Sequence, residues 1–128
     1  MIKEAYCSFE VAKLLKEKGF NGESYLYYYP DKTLISSSCC NWNIDVRITR
    51  PTQQMACRWL REIHGIHIEA LCPVVDIDAN TNGVKYNVVI SNLNNYCLSY
   101  DTPIEDNEYD SYEEAIEAAC LYVLKNII

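Results

Sequence analysis

His64, His67 and Glu69 fall within six residues of one another, and Cys72-Pro73 follows almost at once. Imidazole and carboxylate at this spacing are the raw material of a metal or deaminase centre. A zinc deaminase needs His-x-Glu, then Pro-Cys-x-x-Cys well downstream. Here His67-Ile68-Glu69 is followed by Cys-Pro, reversed in order and too soon. The two histidines also straddle a helix-to-strand junction, so their side chains need not converge. His64 is expected beside the last carbonyls of a helix, with His67 and Glu69 on the wet face of a strand. No metal site and no cofactor is expected.

Seven cysteines offer nucleophiles: Cys7, Cys39, Cys40, Cys57, Cys72, Cys97 and Cys120. A Cys–His pair must use His64 or His67. Cys72 stands five residues from His67, roughly 17 Å along a strand, so the partner would be Cys39, Cys40 or Cys97. The odd count and the absence of Cys-x-x-Cys argue for reduced thiols. Cys57 and Cys120 lie inside helical patterns, where cysteine acts as a small apolar residue.

Carboxylates cluster at Asp76 and Asp78, and again from Asp101 to Asp110. Two-metal nucleases need convergent carboxylates but also a basic surface, so solubility or a partner surface is the expected role. All four glycines occupy turn or cap positions, which leaves no phosphate-cradling loop. The balance of the chemistry leans away from an enzyme.

Tyrosines are the remaining resource. Tyr25, Tyr27 and Tyr29 share one face of a strand, with Leu26 and Tyr28 on the other. Tyrosine on a rigid strand brings contact area at low entropic cost. Lys85, Asn87 and Val89 lie opposite in phase to Tyr86 and Val88, giving a further face clear of the core. The expected binding residues are Tyr25, Tyr27, Tyr28, Tyr29 and Val89, for a protein partner or a second copy of the chain.

The elements that must position these residues are legible. Ser8 caps a first helix whose apolar side is Phe9, Val11, Ala12, Leu14 and Leu15; Gly19 ends it, and Phe20 folds back. Ser24 to Ser36 reads as a hairpin turning at Pro30-Asp31-Lys32. Ile44 to Ile48 alternates like a short strand. Pro51 suits the first position of a second helix, striped by Met55, Ala56, Trp59, Leu60 and Ile63. Gly65 stops that helix and Ile66 opens a strand. That strand reads on to Ile77 with a phase slip at Cys72-Pro73. Asn82-Gly83 turns the chain into a strand through Val84, Tyr86, Val88 and Ile90, and Tyr96, Leu98 and Tyr100 mark another. Ser111 and Glu114 form a capping box for a last helix striped by Tyr112, Ala115, Ile116, Ala119, Tyr122, Val123 and Ile127. The pattern predicts one α+β domain over residues 1–128. Three helices pack on an antiparallel sheet of about four to six strands, in the order α-β-β-α-β-β-β-α.

Three blocks carry a resemblance: SFEVAKLLKEKGF (Ser8–Phe20), PTQQMACRWLREIHGIHI (Pro51–Ile68) and YEEAIEAACLYVLKNII (Tyr112–Ile128). Together they span 48 of 128 residues and resemble a group of small uncharacterised accessory proteins of gut bacteriophages. The resemblance implies a viral accessory protein and carries over no activity or site residue.

Composition sets the remaining bounds. Eleven basic residues face 18 acidic ones, a formal net charge of −7, which disfavours a nucleic-acid backbone as partner. No run approaches the roughly 18 apolar residues of a membrane span, and MIKEAYCSFE lacks the apolar core of a signal peptide. A cytoplasmic location, in a bacterial host, is expected. The reading is a non-enzymatic accessory protein that binds a host or viral protein. The alternative is a binder of a small nucleotide-like ligand, held in an aromatic pocket between strand and helix.

Overall fold

The computed structural model of the chain describes residues 2–41, 46–72, 85–94, 99–100 and 108–128, with side chains for all of these except 38–41 and 99–100. Along them run α1 (Phe9–Glu17), β1 (Ser24–Tyr28), β2 (Leu34–Asn41), β3 (Ile48–Thr49) and α2 (Gln53–His64). Then follow β4 (Ile66–Leu71), β5 (Asn87–Asn92), β6 (Ser99–Tyr100) and α3 (Tyr112–Asn126). The class is α+β, with antiparallel strands and three helices. The strands form two sheets rather than one, β2-β1-β3 and β4-β5-β6. The short strand read before α2 from Ile44 to Ile48 stands at Ile48–Thr49, residues 42–45 lying outside the described residues; it pairs with the second edge of β1, Tyr27 with Thr49 and Tyr28 with Ile48. The order is therefore α-β-β-β-α-β-β-β-α.

Helix α1 joins the two halves. Its Ala12, with Phe9 beside it, packs on Tyr28 and Ile48 of the first sheet. Val11 and Leu15 enter the main core, which α2, α3, β4 and β5 build from Ala56, Leu60, Ile66, Ile68, Val88, Ile90, Ile116 and Val123. One amphipathic helix thus serves two apolar surfaces.

Local signals explain the boundaries. Ser8 Oγ accepts from Val11 N at 3.3 Å, and Ser111 Oγ from Glu114 N at 3.1 Å, each filling one orphan donor of a helix start. Gly19 takes φ +93°, and Phe20 N then donates to Leu15 O at 2.9 Å as the ring turns inward, 2% exposed. For α2 the cap is Thr52, whose Oγ1 accepts from Met55 N at 3.1 Å. Pro51 therefore stands one step before the cap and not at the first helical position. Its carbonyl accepts from Cys7 N at 2.9 Å, which ties the N-terminal segment to α2.

The inward face of α2 is rotated from the expected stripe. Gln53, Ala56 and Leu60 are its buried residues; Trp59 is half-buried, and Met55 and Ile63 are exposed at 42% and 65%. At about 100° per residue, Leu60 centres a face running through Gln53 and Cys57, and Met55 falls outside it. Helix α3 is shifted likewise: Cys120 and Leu124 are buried while Tyr112 is exposed. The strand from Ile66 ends at Leu71. The expected Asn82-Gly83 turn, the acidic loop's first residues and Tyr96 and Leu98 lie outside the described residues.

Leu60 has no accessible surface and sits at the centre of this packing. Leu60→Ala should lower stability by about 2–5 kcal/mol, read as a lower urea midpoint. Ile63→Ala should change it by less than about 0.5 kcal/mol.

Candidate functional site: a thiol-bearing cleft and an aromatic groove

The α2–Gly65–β4 hairpin lays a helix antiparallel to the strand that follows it. Eight helical residues back from Gly65 is about 12 Å, and four strand residues forward is about 13 Å. Cys57 and Glu69 therefore come level. The N-terminus of α3 closes the third side. The result is a half-open cleft of about 520 Å³, with Cys57, Arg61, His67, Glu69, Tyr112 and Glu113 among its lining residues. Its volume lies within the ~300–1,000 Å³ of small-molecule pockets.

Cys57 is the chemically distinctive group there. Its Sγ lies 3.9 Å from Sγ of Cys120 on α3. Cys120 is 1% exposed, and its hydrogen bond to Cys57, together with burial, keeps its proton on. That same hydrogen bond holds the Cys57 thiol below the usual thiol range. Burial opposes it and the Arg61 guanidinium adds to it. Cys7 lies in the same core, its thiol pushed far up by burial and its Sγ donating to Thr52 O at 3.7 Å. Cys7, Cys57 and Cys120 are free thiols.

The histidines separate as their junction suggests. The His64 ring stacks edge-to-face on Trp59, 4.6 Å between centroids, while its carbonyl accepts from Asn94 Nδ2 at 3.2 Å. His67 faces the cleft. Among the described residues, the cysteine that shares its cleft is Cys57. Cys97 and the side chains of Cys39 and Cys40 lie outside the described residues, as do Asp76 and Asp78. Among the described residues no group of three or more His, Cys, Asp or Glu is arranged to hold a metal ion.

The tyrosine strand divides differently from its alternation. Tyr28 is 8% exposed, beneath α1. Its ring meets Phe9 edge-to-face at 5.3 Å and the Arg50 guanidinium at 5.6 Å. Tyr27 is also buried, against Tyr29 at 5.6 Å and Arg47 at 5.1 Å. Both therefore belong to the interior, because α1 covers one face of β1 and Arg47 and Tyr29 cover Tyr27 on the other. Tyr29 is half-buried. Val89, paired with Glu69 across the β4–β5 ladder, is half-buried too. Tyr25 alone of the five is exposed, at 56%.

Tyr25 shares a shallow groove of about 200 Å³ with Tyr6, Leu26, Pro51 and Met55. Tyr6 is held there by Arg50, whose guanidinium lies 5.1 Å from its ring and whose Nε donates to Cys7 O at 3.1 Å. The sequence showed Tyr25 but not its neighbours, since Tyr6 and Met55 come from segments read as a terminus and a core stripe.

No family model, no curated protein and no solved structure matches the chain. Cleft and groove are thus interpreted from their own chemistry.

The hydrogen bond from Cys120 favours the Cys57 thiolate, so removing it should raise the Cys57 pKa. Cys7, Arg61, Glu69, Tyr112 and Glu113 remain around the thiol in Cys120→Ala. The pH at which Cys57 alkylation reaches half its plateau rate, followed by peptide mass mapping, should rise in that variant. An unchanged profile would mean that the pair does not polarise Cys57.

Proposed function

We propose that the chain is a non-enzymatic phage accessory protein that acts in the host cytoplasm by binding a host or viral protein. The groove of Tyr6, Tyr25 and Met55 carries this reading. Its three large side chains are exposed at 37%, 56% and 42%, and each is anchored by a different rigid piece of backbone. Tyr6 bridges to Thr52, Tyr25 lies in β1 and Met55 in the first turn of α2. The groove volume of about 200 Å³ falls below the ~300 Å³ at which small-molecule pockets begin. It suits one or two apolar side chains of a protein partner, with the tyrosines as anchors. A second copy of the chain is the other protein occupant this surface admits. The resemblance to phage accessory proteins supports the same class of role, and so does the acidic balance, which disfavours nucleic acid.

A small ligand is the second reading, and the α2–α3 cleft favours it. The cleft has the volume of a ligand site, and Tyr112 and Arg61 both line it. A nucleotide-like molecule would set its ring on Tyr112 and its charge toward Arg61.

Tyr25→Asp with Met55→Asp separates these possibilities. The double variant should keep the wild-type unfolding free energy in urea to within about 0.5 kcal/mol while losing a partner that the purified wild-type chain binds directly. Sedimentation of both chains reports whether that partner is a second copy. Retained partner binding would place the interface elsewhere. A thermal midpoint raised by nucleotide in wild type, but not in Tyr112→Ala, would favour the cleft.

A further inference from the structure

We propose that Cys57 and Cys120 form a peroxide-reactive dithiol, in which Cys57 is the attacking sulfur and Cys120 resolves it to a disulfide joining α2 to α3. Three observations on the geometry converge. The two sulfurs are 3.9 Å apart, so closing to the roughly 2.05 Å of a disulfide is a movement of about 2 Å, within reach of side-chain rotation and a slight helix shift. The two helices are also tied near their N-termini, where Gln53 Nε2 of α2 donates to Glu113 O of α3 at 2.9 Å, and the residues next to the cysteines, Ala56 and Ala119, are without accessible surface. The two thiols also differ in access. Cys57 lines an open cleft, whereas Cys120 is buried behind it. An incoming oxidant meets Cys57 first.

The polarisation of the pair agrees with that order, since their hydrogen bond shifts the Cys57 thiol downward and the Cys120 thiol upward. The thiolate is the reactive form of cysteine. In the first step Cys57 Sγ attacks one oxygen of hydrogen peroxide. An S–O bond forms, the O–O bond breaks, and hydroxide leaves and is protonated to water; sulfur is oxidised to sulfenic acid as peroxide is reduced. In the second step Cys120 Sγ attacks Cys57 Sγ. The S–S bond forms, the S–O bond breaks, and hydroxide departs with the Cys120 proton as a second water. Two thiols and one peroxide yield one disulfide and two waters. Cys7 is not the resolving thiol: its Sγ is engaged with Thr52 O.

Peptide mapping of the whole, initially reduced chain tests this directly. The folded protein is treated with hydrogen peroxide, denatured, blocked with iodoacetamide and cut after lysine, arginine and glutamate. Cys57 then lies in fragment 48–58 and Cys120 in fragment 118–125, each with a single cysteine. The expected main product is these two fragments joined, lighter by two hydrogens than their sum and separated by dithiothreitol. In Cys120→Ser, dimedone should trap the sulfenic acid on Cys57, and no joined fragment should form. The proposal is overturned if both cysteines are recovered alkylated once exposed Cys72 is oxidised. It is equally overturned if Cys57 ends as sulfinic acid beside a free Cys120, or links to another cysteine. The wild-type map stands without the variant, so a folding defect in Cys120→Ser leaves the test intact.

Discussion

Gly65, at φ +68°, lets α2 run into β4 with no connecting loop. Its N–H still reaches the carbonyls of Leu60 and Arg61, so the helix end is satisfied even as the chain reverses. Leu93 N donates to Gly65 O at 2.7 Å, and the Asn94 amide donates to His64 O. The turn after β5 is thereby docked on the same joint. A Cβ at this position would meet the Asn94 side chain at 2.4 Å. Once the reversal is fixed, Leu60 joins Ile66 and Ile68 in one core, and the cleft residues of helix and strand come level. Much of the molecule's second half hangs on that one left-handed residue.

Helix α3 completes what the joint begins. It lies against α1, α2 and the β4–β5 ladder, and its alanines allow close approach. Its contact with α2, crossed by the hydrogen bond from Gln53 Nε2 to Glu113 O, also brings Cys57 and Cys120 within 3.9 Å of each other. A buried thiol costs little there as a small apolar side chain, yet it retains its chemistry. The seam therefore combines a packing role with a reactive one. The groove near β1 is built on opposite terms: Arg50 holds Tyr6 by its ring face and Cys7 by its carbonyl, leaving apolar surface outside the core.

Whatever depended on neighbours in sequence was legible. Ser8 and Ser111 cap helices within three residues, and Gly65 and Phe20 act over a single turn; the start of α2 was offset by one, because Pro51 reads as a first helical residue while Thr52 is the cap. Contacts between distant segments were not. Alternation shows that Tyr28 opposes Tyr27 and Tyr29, but the cover over Tyr28 comes from Ala12 and Phe9, on a part of α1 distinct from the stripe that Val11 and Leu15 bury. Two sheets replace one because that helix has apolar residues on two sides. Cys57 and Cys120 are 63 residues apart, and each alone reads as helix filler. The helix–Gly–strand reversal was nevertheless available as a signal. Counting rises on either side of Gly65 brings Cys57 beside Glu69 without any coordinates.

Urea unfolding of Gly65→Ala, followed in parallel by tryptophan fluorescence and far-ultraviolet circular dichroism, tests the dependence on this joint. The left-handed conformation costs an alanine about 1–2 kcal/mol, and its methyl also displaces Asn94 from His64 O. Stability should fall by at least that amount, read as a lower midpoint with an unchanged slope and both probes moving together. A midpoint equal to wild type would contradict it, because the helix-to-strand reversal would then not require the glycine.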